Sequence, residues 1–362
     1  MADRQVSNSS ATTAQQAPAQ WVAAQQGSAQ QGSAIKLATP SGTREVLEVF
    51  GLATKKRLGQ NFLVNEAIVE KICDLADMDP NSSCVLEVGP GIGTLTQALL
   101  ARSRAVVSIE ADKNLKPVYG LTLAPWLDKF ALLEGDALKV SADDVRSAFC
   151  TLLSSEISGA APLATTPAPS MFVANLPYKV AATVLLKFIR EFLSLSRAVV
   201  MVQAEVADRI AAVPGTKTYG AYTVKLQLYS KVTGRFEVGP HNFFPPPRVN
   251  SAVVRLDRQL RKDPYTGKTL SSDDLSCVTR LVDAAFAQRR KTLRNCLYTA
   301  GYVPELVEYA CEETSIEPTL RAEALSVDDF IRLALTMRNA VVAAADVVSR
   351  NLTPLSQQKH VK

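Results

Sequence analysis

The chain predicts an open, doubly wound α/β sheet followed by a small helical domain. Three observations carry this. Short apolar runs end in a glycine or an acid, helical spacing fills the intervals between them, and beyond about residue 257 apolar residues recur three and four apart. The first strand is Cys84-Val85-Leu86-Glu87-Val88, which runs into Gly89-Pro90-Gly91-Ile92-Gly93-Thr94 and then into Leu95, Leu99 and Leu100 at helical spacing. The second, Ala105 to Ile109, ends in Glu110, and the third, Phe130 to Leu133, leads through Glu134 to Gly135-Asp136. The fourth, Met171 to Ala174, ends in Asn175-Leu176-Pro177-Tyr178. A helix from Val180 to Leu193, a strand at Ala198 to Val202 and a helix near Glu205 to Ala212 follow. Strands around Thr223 to Tyr229 and Val249 to Leu256 complete a mostly parallel sheet with an antiparallel edge. Leu275, Val278, Leu281, Val282 and Ala285 mark the helical domain.

The boundaries follow from composition. Residues 1–43, rich in Ala, Gln and Ser with an imperfect repeat, read as a disordered low-complexity tail. Residues 44–256 form the α/β domain, interrupted at 151–170 by a surface insertion whose Ser154–Ser170 part holds Gly, Ala, Thr and three prolines. Residues 257–338 form the helical domain, and 339–362 a carboxyl-terminal extension.

Composition excludes several chemistries. The 362 residues hold two histidines, His241 and His360, neither with a Cys or acid at metal-ligand spacing, so no metal and no histidine nucleophile is expected. The six cysteines are scattered without a C-x-x-C and read as reduced thiols, which with the missing secretory signal and membrane span points to the cytoplasm. The net charge of +5 is small, but Arg255 to Arg294 carries ten Lys and Arg against five Asp and Glu, densest at Arg289, Arg290, Lys291 and Arg294. Such a cluster on adjacent helical turns suits a phosphate backbone, or else is a solvated face.

The strand ends carry the chemistry. Glycines let the backbone pass close to a ligand at the end of the first strand. Glu110, about twenty residues beyond the turn, can accept both hydroxyls of a ribose, and Asp136 can accept from an adenine amine. A dinucleotide fold would share the first two features, but the spacing is G-x-G-x-G and not G-x-G-x-x-G. The tetrapeptide suits an exocyclic amine: the Asn175 amide oxygen and a backbone carbonyl made rigid by Pro177 accept its N–H groups, and Tyr178 offers an aromatic face. A methyl donor containing adenosine, facing an amine acceptor, uses all four strand ends, with no general base.

Four segments together resemble the rRNA adenine N6-dimethyltransferases. They are Lys56-Arg57-Leu58-Gly59-Gln60-Asn61-Phe62-Leu63, Glu87 to Gly91, Asn175 to Tyr178, and Phe243 to Leu256. Phe286 to Asn295 and Arg321-Ala322-Glu323 resemble the bacterial small-subunit (16S) branch in particular, and the likeness runs from about residue 50 to about 338. It implies the class I methyltransferase variant of the Rossmann-like sheet. It also implies S-adenosyl-L-methionine held by Gln60, Asn61, Leu63, Gly89, Gly91, Glu110, Asp136 and Asn175, and a catalytic set of Asn175, Leu176, Pro177, Tyr178 and Phe243. Tyr178 then stacks a flipped adenine and Phe243 closes its other face; the proline-rich loop places Phe243 at the surface, with Phe244 a second candidate. Arg248, Arg289, Arg290, Lys291 and Arg294 are the implied RNA contacts. The expected activity is dimethylation of two adjacent adenines of small-subunit rRNA within a pre-ribosomal 30S particle, by a monomer. A large-subunit enzyme of the macrolide-resistance type, and an assembly factor acting mainly by binding, are the other readings.

Overall fold

The computed structural model describes residues 35–55, 59–154 and 167–351. Most of the amino-terminal tail, Lys56-Arg57-Leu58, residues 155–166 of the insertion and the end of the chain lie outside the described residues. The first helix, α1 (Pro40–Val49), begins inside the segment that composition assigns to the tail. Thr39 caps it, accepting from the Gly42 N–H at 3.1 Å, and Pro40 brings the φ favoured at N1. The Thr43 hydroxyl donates to the Leu37 carbonyl at 3.0 Å, and Leu37, Val46 and Leu47 are buried. A count of Ala, Gln and Ser averages over such a short capped element.

Next come β1 (Phe62–Leu63), α2 (Glu66–Ala76), β2 (Cys84–Val88), α3 (Thr94–Arg102), β3 (Ala105–Glu110), α4 (Lys116–Thr122), β4 (Phe130–Glu134), α5 (Ala142–Leu152) and β5 (Met171–Asn175). Then follow α6 (Ala181–Glu191), β6 (Arg197–Gln203), α7 (Ala204–Ile210), α8 (Ala221–Gln227), β7 (Ser230–Val238), β8 (Phe243–Phe244) and β9 (Ser251–Arg258). The chain continues as α9 (Ser272–Ala285), α10 (Leu293–Thr299), α11 (Pro304–Thr314) and α12 (Val327–Asn351).

Seven strands pair in the order β4-β3-β2-β5-β6-β9-β7. β2 runs parallel to β3, and β3 to β4, whereas β9 runs antiparallel to β6. Every residue of β2 and β3 is buried, which their near-continuous apolar runs require of central strands. The chain winds outward from β2 to β4 and then returns to β5 on the other side of β2. That reversal makes the carboxyl ends of β2 and β5 the topological switch point, the position where doubly wound sheets bind ligands.

The chain packs as two compact units. One contains Met1–Pro169, Val173–Lys179 and Val238–Arg248; the other contains Ser170–Phe172, Val180–Glu237 and Val249–Lys362. In the second unit, α9 starts with a capping box between Ser271 and Asp274, and the rings of Tyr219 and Phe330 both meet that of Phe286.

Two elements depart from expectation. Thr223 to Gln227 is not a strand but lies in α8, and the strand is β7, one step later. The Thr223 hydroxyl donates to the Arg209 carbonyl at 2.7 Å and the Gln227 amide to the Ala212 carbonyl at 3.0 Å, so tertiary bonds override the β-branched composition. β7 instead shows a strict alternation, with Lys231, Thr233, Arg235 and Glu237 outward, as suits the end of a sheet. Second, Arg289, Arg290 and Lys291 lie in the turn between α9 and α10 and not on a helix; Thr292 caps α10, so that only Arg294 is helical.

Candidate active site

Gly89, Gly91 and Gly93 all take left-handed backbone angles between β2 and α3. At Gly91 the requirement is double, since φ is +61° and a Cβ would lie 3.0 Å from the Phe62 ring. Gly89, at φ +73°, passes beside Pro177 of the tetrapeptide, which puts the ends of β2 and β5 together. The Thr94 hydroxyl, at the first position of α3, is buried and has no hydrogen-bond partner. A buried polar atom left open at a glycine turn marks a place for a ligand.

Glu110, 8 % exposed, ends β3. Its carboxylate accepts from the Asp112 N–H at 2.8 Å and the Gly91 N–H at 3.4 Å, and burial raises its pKa above the usual carboxylate range. The Gly135 N–H donates to the Glu110 carbonyl at 2.8 Å, bringing the ends of β3 and β4 side by side. Asp136, one residue on, is exposed and accepts from the Leu138 N–H at 2.9 Å.

Asp112 is a member of this site that sequence reasoning missed. Lys55 Nζ donates to it at 2.6 Å and Gln60 Nε2 at 3.0 Å, while the Gln60 amide oxygen accepts from the Lys55 N–H at 2.8 Å. Burial pushes the Asp112 carboxyl up, yet these hydrogen bonds hold it below the usual range. Gln60 therefore works as a brace: both ends of its amide are already engaged. The signal was present as an E-x-D spacing at Glu110 and Asp112.

Asn175 closes β5, half-buried, and its Nδ2 donates to the Asn61 carbonyl at 3.4 Å. With the nitrogen engaged, the amide oxygen is the end available to accept. Leu176 is buried, which anchors the turn, while Pro177 and Tyr178 are half-buried. A two-stranded ribbon brings two sequence motifs to this place: β1 pairs antiparallel with β8, Phe62 opposite Phe244 and Leu63 opposite Phe243. The Asn65 amide donates to the Asn242 side chain at 2.7 Å and extends the join.

Leu63 and Phe243 are thus both interior. Phe243 is 3 % exposed, so the surface position that its proline-rich loop implies is not observed. The short β8 strand turns it inward and leaves Phe244 half-buried at the outer position. Arg248 is exposed. In the second unit, Arg289 donates to the Lys217 carbonyl at 3.0 Å and Arg294 to Glu308 at 3.4 Å, while Arg290 and Lys291 are exposed. Among the described residues no cluster of His, Cys, Asp or Glu could hold a metal ion, and no helix is long and apolar enough to cross a membrane.

Under the glycine turn, Glu87 accepts from Thr96 at 2.9 Å and Ser108 at 2.7 Å, joining β2, β3 and α3. Burial raises its carboxyl to about 7 against those two hydrogen bonds. A carboxyl raised in the folded state holds its proton more tightly there. Its favourable contribution is complete below the unfolded value of 4.5 and is lost as pH rises through about 7. Glu87→Gln keeps an acceptor and removes the titration, so it is the more stable chain at pH 8, by up to roughly 3 kcal/mol, and the difference closes toward pH 5. Urea unfolding at the two pH values measures this; an equal difference at both would show that Glu87 does not titrate in this range.

A family model described as ribosomal RNA adenine dimethylase matches residues 51–339. The ribosomal RNA small subunit methyltransferase A of Geobacillus sp. (strain WCH70) is 37 % identical over 309 residues, 84 % of this chain and 99 % of that protein. The protein of the same name from Staphylococcus haemolyticus (strain JCSC1435) is 38 % identical over 307 residues, 84 % of this chain and 96 % of that one. Among solved structures, a dimethyladenosine transferase from Plasmodium falciparum aligns with a TM-score of 0.60 at 24 % identity, covering 77 % of this chain and 98 % of that one. The 23S rRNA methyltransferase ErmE aligns with a TM-score of 0.54 at 22 % identity, covering 77 % and 100 %. At those identities the two structures speak for the fold, a class I methyltransferase sheet.

Proposed function

The chain belongs to the ribosomal RNA adenine dimethylase family, and from that premise we propose that it dimethylates N6 of two adjacent adenines near the 3′ end of small-subunit rRNA. The observation that carries the reading is the Asn175 amide, its nitrogen on the Asn61 carbonyl and its oxygen left to accept. S-adenosyl-L-methionine, when bound, supplies an electrophilic methyl group on a sulfonium. The residues present fit it: a glycine cradle, the open Thr94 hydroxyl, and two acids with acceptor capacity.

Glu110 accepts the ribose hydroxyls, and Asp136 an adenine amine. Gly89 and Gly91 let the backbone come close, Asn61 just before β1 and Leu63 within it line the same side, and Gln60 holds them through Asp112. On the acceptor side, the Asn175 oxygen and the Leu176 carbonyl hold the N6 hydrogens, orienting the lone pair for in-line displacement. The Tyr178 ring grips the flipped base, and its stacking offsets part of the extrusion cost of a few kcal/mol.

We assign catalysis to residues 44–256 and rRNA docking to 257–338 together with Arg248. The partner in this reading is the small subunit within a pre-ribosomal 30S particle, met by a monomer in the cytoplasm. The experiment is transfer of labelled methyl to undermethylated small subunits, large subunits and free rRNA, followed by nucleotide mapping. Label on large subunits alone would favour the large-subunit type, and tight subunit binding with no label would favour an assembly factor.

For docking, replacing Arg289, Arg290, Lys291 and Arg294 by Ala weakens small-subunit binding and lowers its salt slope by about one for each phosphate that is no longer neutralised. Arg290 and Lys291 carry most of this, because Arg289 and Arg294 already serve the Lys217 carbonyl and Glu308. A salt series of subunit affinity, with donor affinity as the control for folding, reads it. An unchanged slope makes the cluster a solvated face.

A further inference from the structure

We propose that Arg44 of α1 is a further RNA-binding residue of the methyl-transfer site: laid over Phe244, its guanidinium holds a backbone phosphate of the substrate strand beside the reacting adenine. The inference rests on the rRNA-methylating reading above and adds a residue from a helix outside the family's motifs.

Arg44 is exposed, and its guanidinium carbon lies 5.2 Å from the centre of the Phe244 ring. Among the described residues no carboxylate or carbonyl takes its N–H groups, whereas Arg102, Arg197, Arg235 and Arg261 are each paired with an acid. Phe244 stands opposite Phe62 in the β1–β8 ribbon, and Phe62 follows Asn61, whose carbonyl holds the Asn175 amide. Arg44 therefore sits one aromatic pair away from the strand end that orients the acceptor amine. Arg248, exposed and among the described residues also without a carboxylate partner, follows Phe244 by four residues.

The stacking fixes what a free surface arginine lacks. A guanidinium held over a ring is restrained in position while its N–H groups remain free, so less freedom is lost when they meet a phosphate. Extruding a base swings the flanking phosphates with it, and each carries a charge wherever the strand bends. The bond formed is a charge-assisted hydrogen bond to a non-bridging oxygen, with no sequence preference.

The test uses the full chain and undermethylated small subunits across a salt series. Arg44→Ala raises KM for the subunit about tenfold, the loss of one charged hydrogen bond. It leaves kcat within about twofold, leaves donor affinity unchanged, and lowers the salt slope by about one. Arg44→Lys keeps the slope and regains part of the KM. Arg44→Met keeps a stem on Phe244 without charge and behaves as the Ala variant. Wild-type KM in Arg44→Met shows that Arg44 serves packing alone and overturns the proposal, as does an unchanged slope in Arg44→Ala. If the wild type proved inactive on small subunits, the proposed function would fail by itself. Subunit binding by the same variants would still decide Arg44: a lowered slope upholds it and an unchanged slope overturns it.

Discussion

Asn175→Ala lowers kcat for methyl transfer by roughly 10²- to 10³-fold, the range for losing one preorganised hydrogen-bonding group aimed at a reacting centre. The wild-type amide nitrogen donates to the Asn61 carbonyl, which leaves the oxygen as the proposed acceptor for N6–H. Alanine removes that acceptor and leaves only the Leu176 carbonyl, so the amine lone pair is no longer held in line with the methyl group. The fold survives, because Asn175 is half-buried at a strand end and the apolar residues of β5 before it are untouched. Donor affinity falls less than turnover, since the Glu110 and Asp136 acceptors are intact. Single-turnover methylation with saturating donor, beside a thermal melt, measures both sides. Near-normal turnover in a folded variant refutes the role.

Tyr178→Ala costs about 10- to 100-fold in kcat/KM for the subunit, the equivalent of one aromatic stack of roughly 1–3 kcal/mol, whereas Tyr178→Phe stays within a few-fold of wild type. The proposed role needs the ring and not the hydroxyl. Phe243 is buried and the second candidate, Phe244, is half-buried beside it, so in the proposed site Tyr178 carries the larger part of the base grip at that strand end. Steady-state kinetics of the two variants against undermethylated small subunits decide the matter. A Phe variant as inactive as the Ala variant would mean that the hydroxyl acts.

The strands that bear the site were legible because each is an apolar run closed by a chemically distinct residue. Val88 before Gly89, Ile109 before Glu110 and Ala174 before Asn175 are strand ends as expected. Period and punctuation are local signals. What escaped depends on partners far along the chain. α8 took Thr223 to Gln227 out of a strand through bonds to Arg209 and Ala212, which no window around those residues contains. Phe243 looked like a loop residue until β8 paired it with Leu63. Asp112 is marked in the sequence only by its E-x-D spacing from Glu110, and Thr94 by nothing of its own; one is recognised through its bonds to Lys55 and Gln60, the other through having none. The turn at Arg289 to Lys291 was hidden because a capping threonine looks like any other polar residue inside a helical pattern.

The β1–β8 ribbon also bears on the order in which a growing chain acquires its site. Phe62 and Leu63 are made early, yet their partners Phe243 and Phe244 leave the ribosome only after almost all of the α/β sheet has been synthesised. A pairing of such sequence separation closes late, because its loop entropy is not offset until the intervening strands have packed. The glycine turn and its acids can assemble from the first half of the chain alone, but the segment carrying Gln60 and Asn61 acquires its ribbon partner only with the proline-rich loop. In the proposed site, a nascent chain halted before Phe243 therefore holds the glycine turn and its acids without the ribbon that pins Gln60 and Asn61, and that pinning comes only near the completion of the sheet.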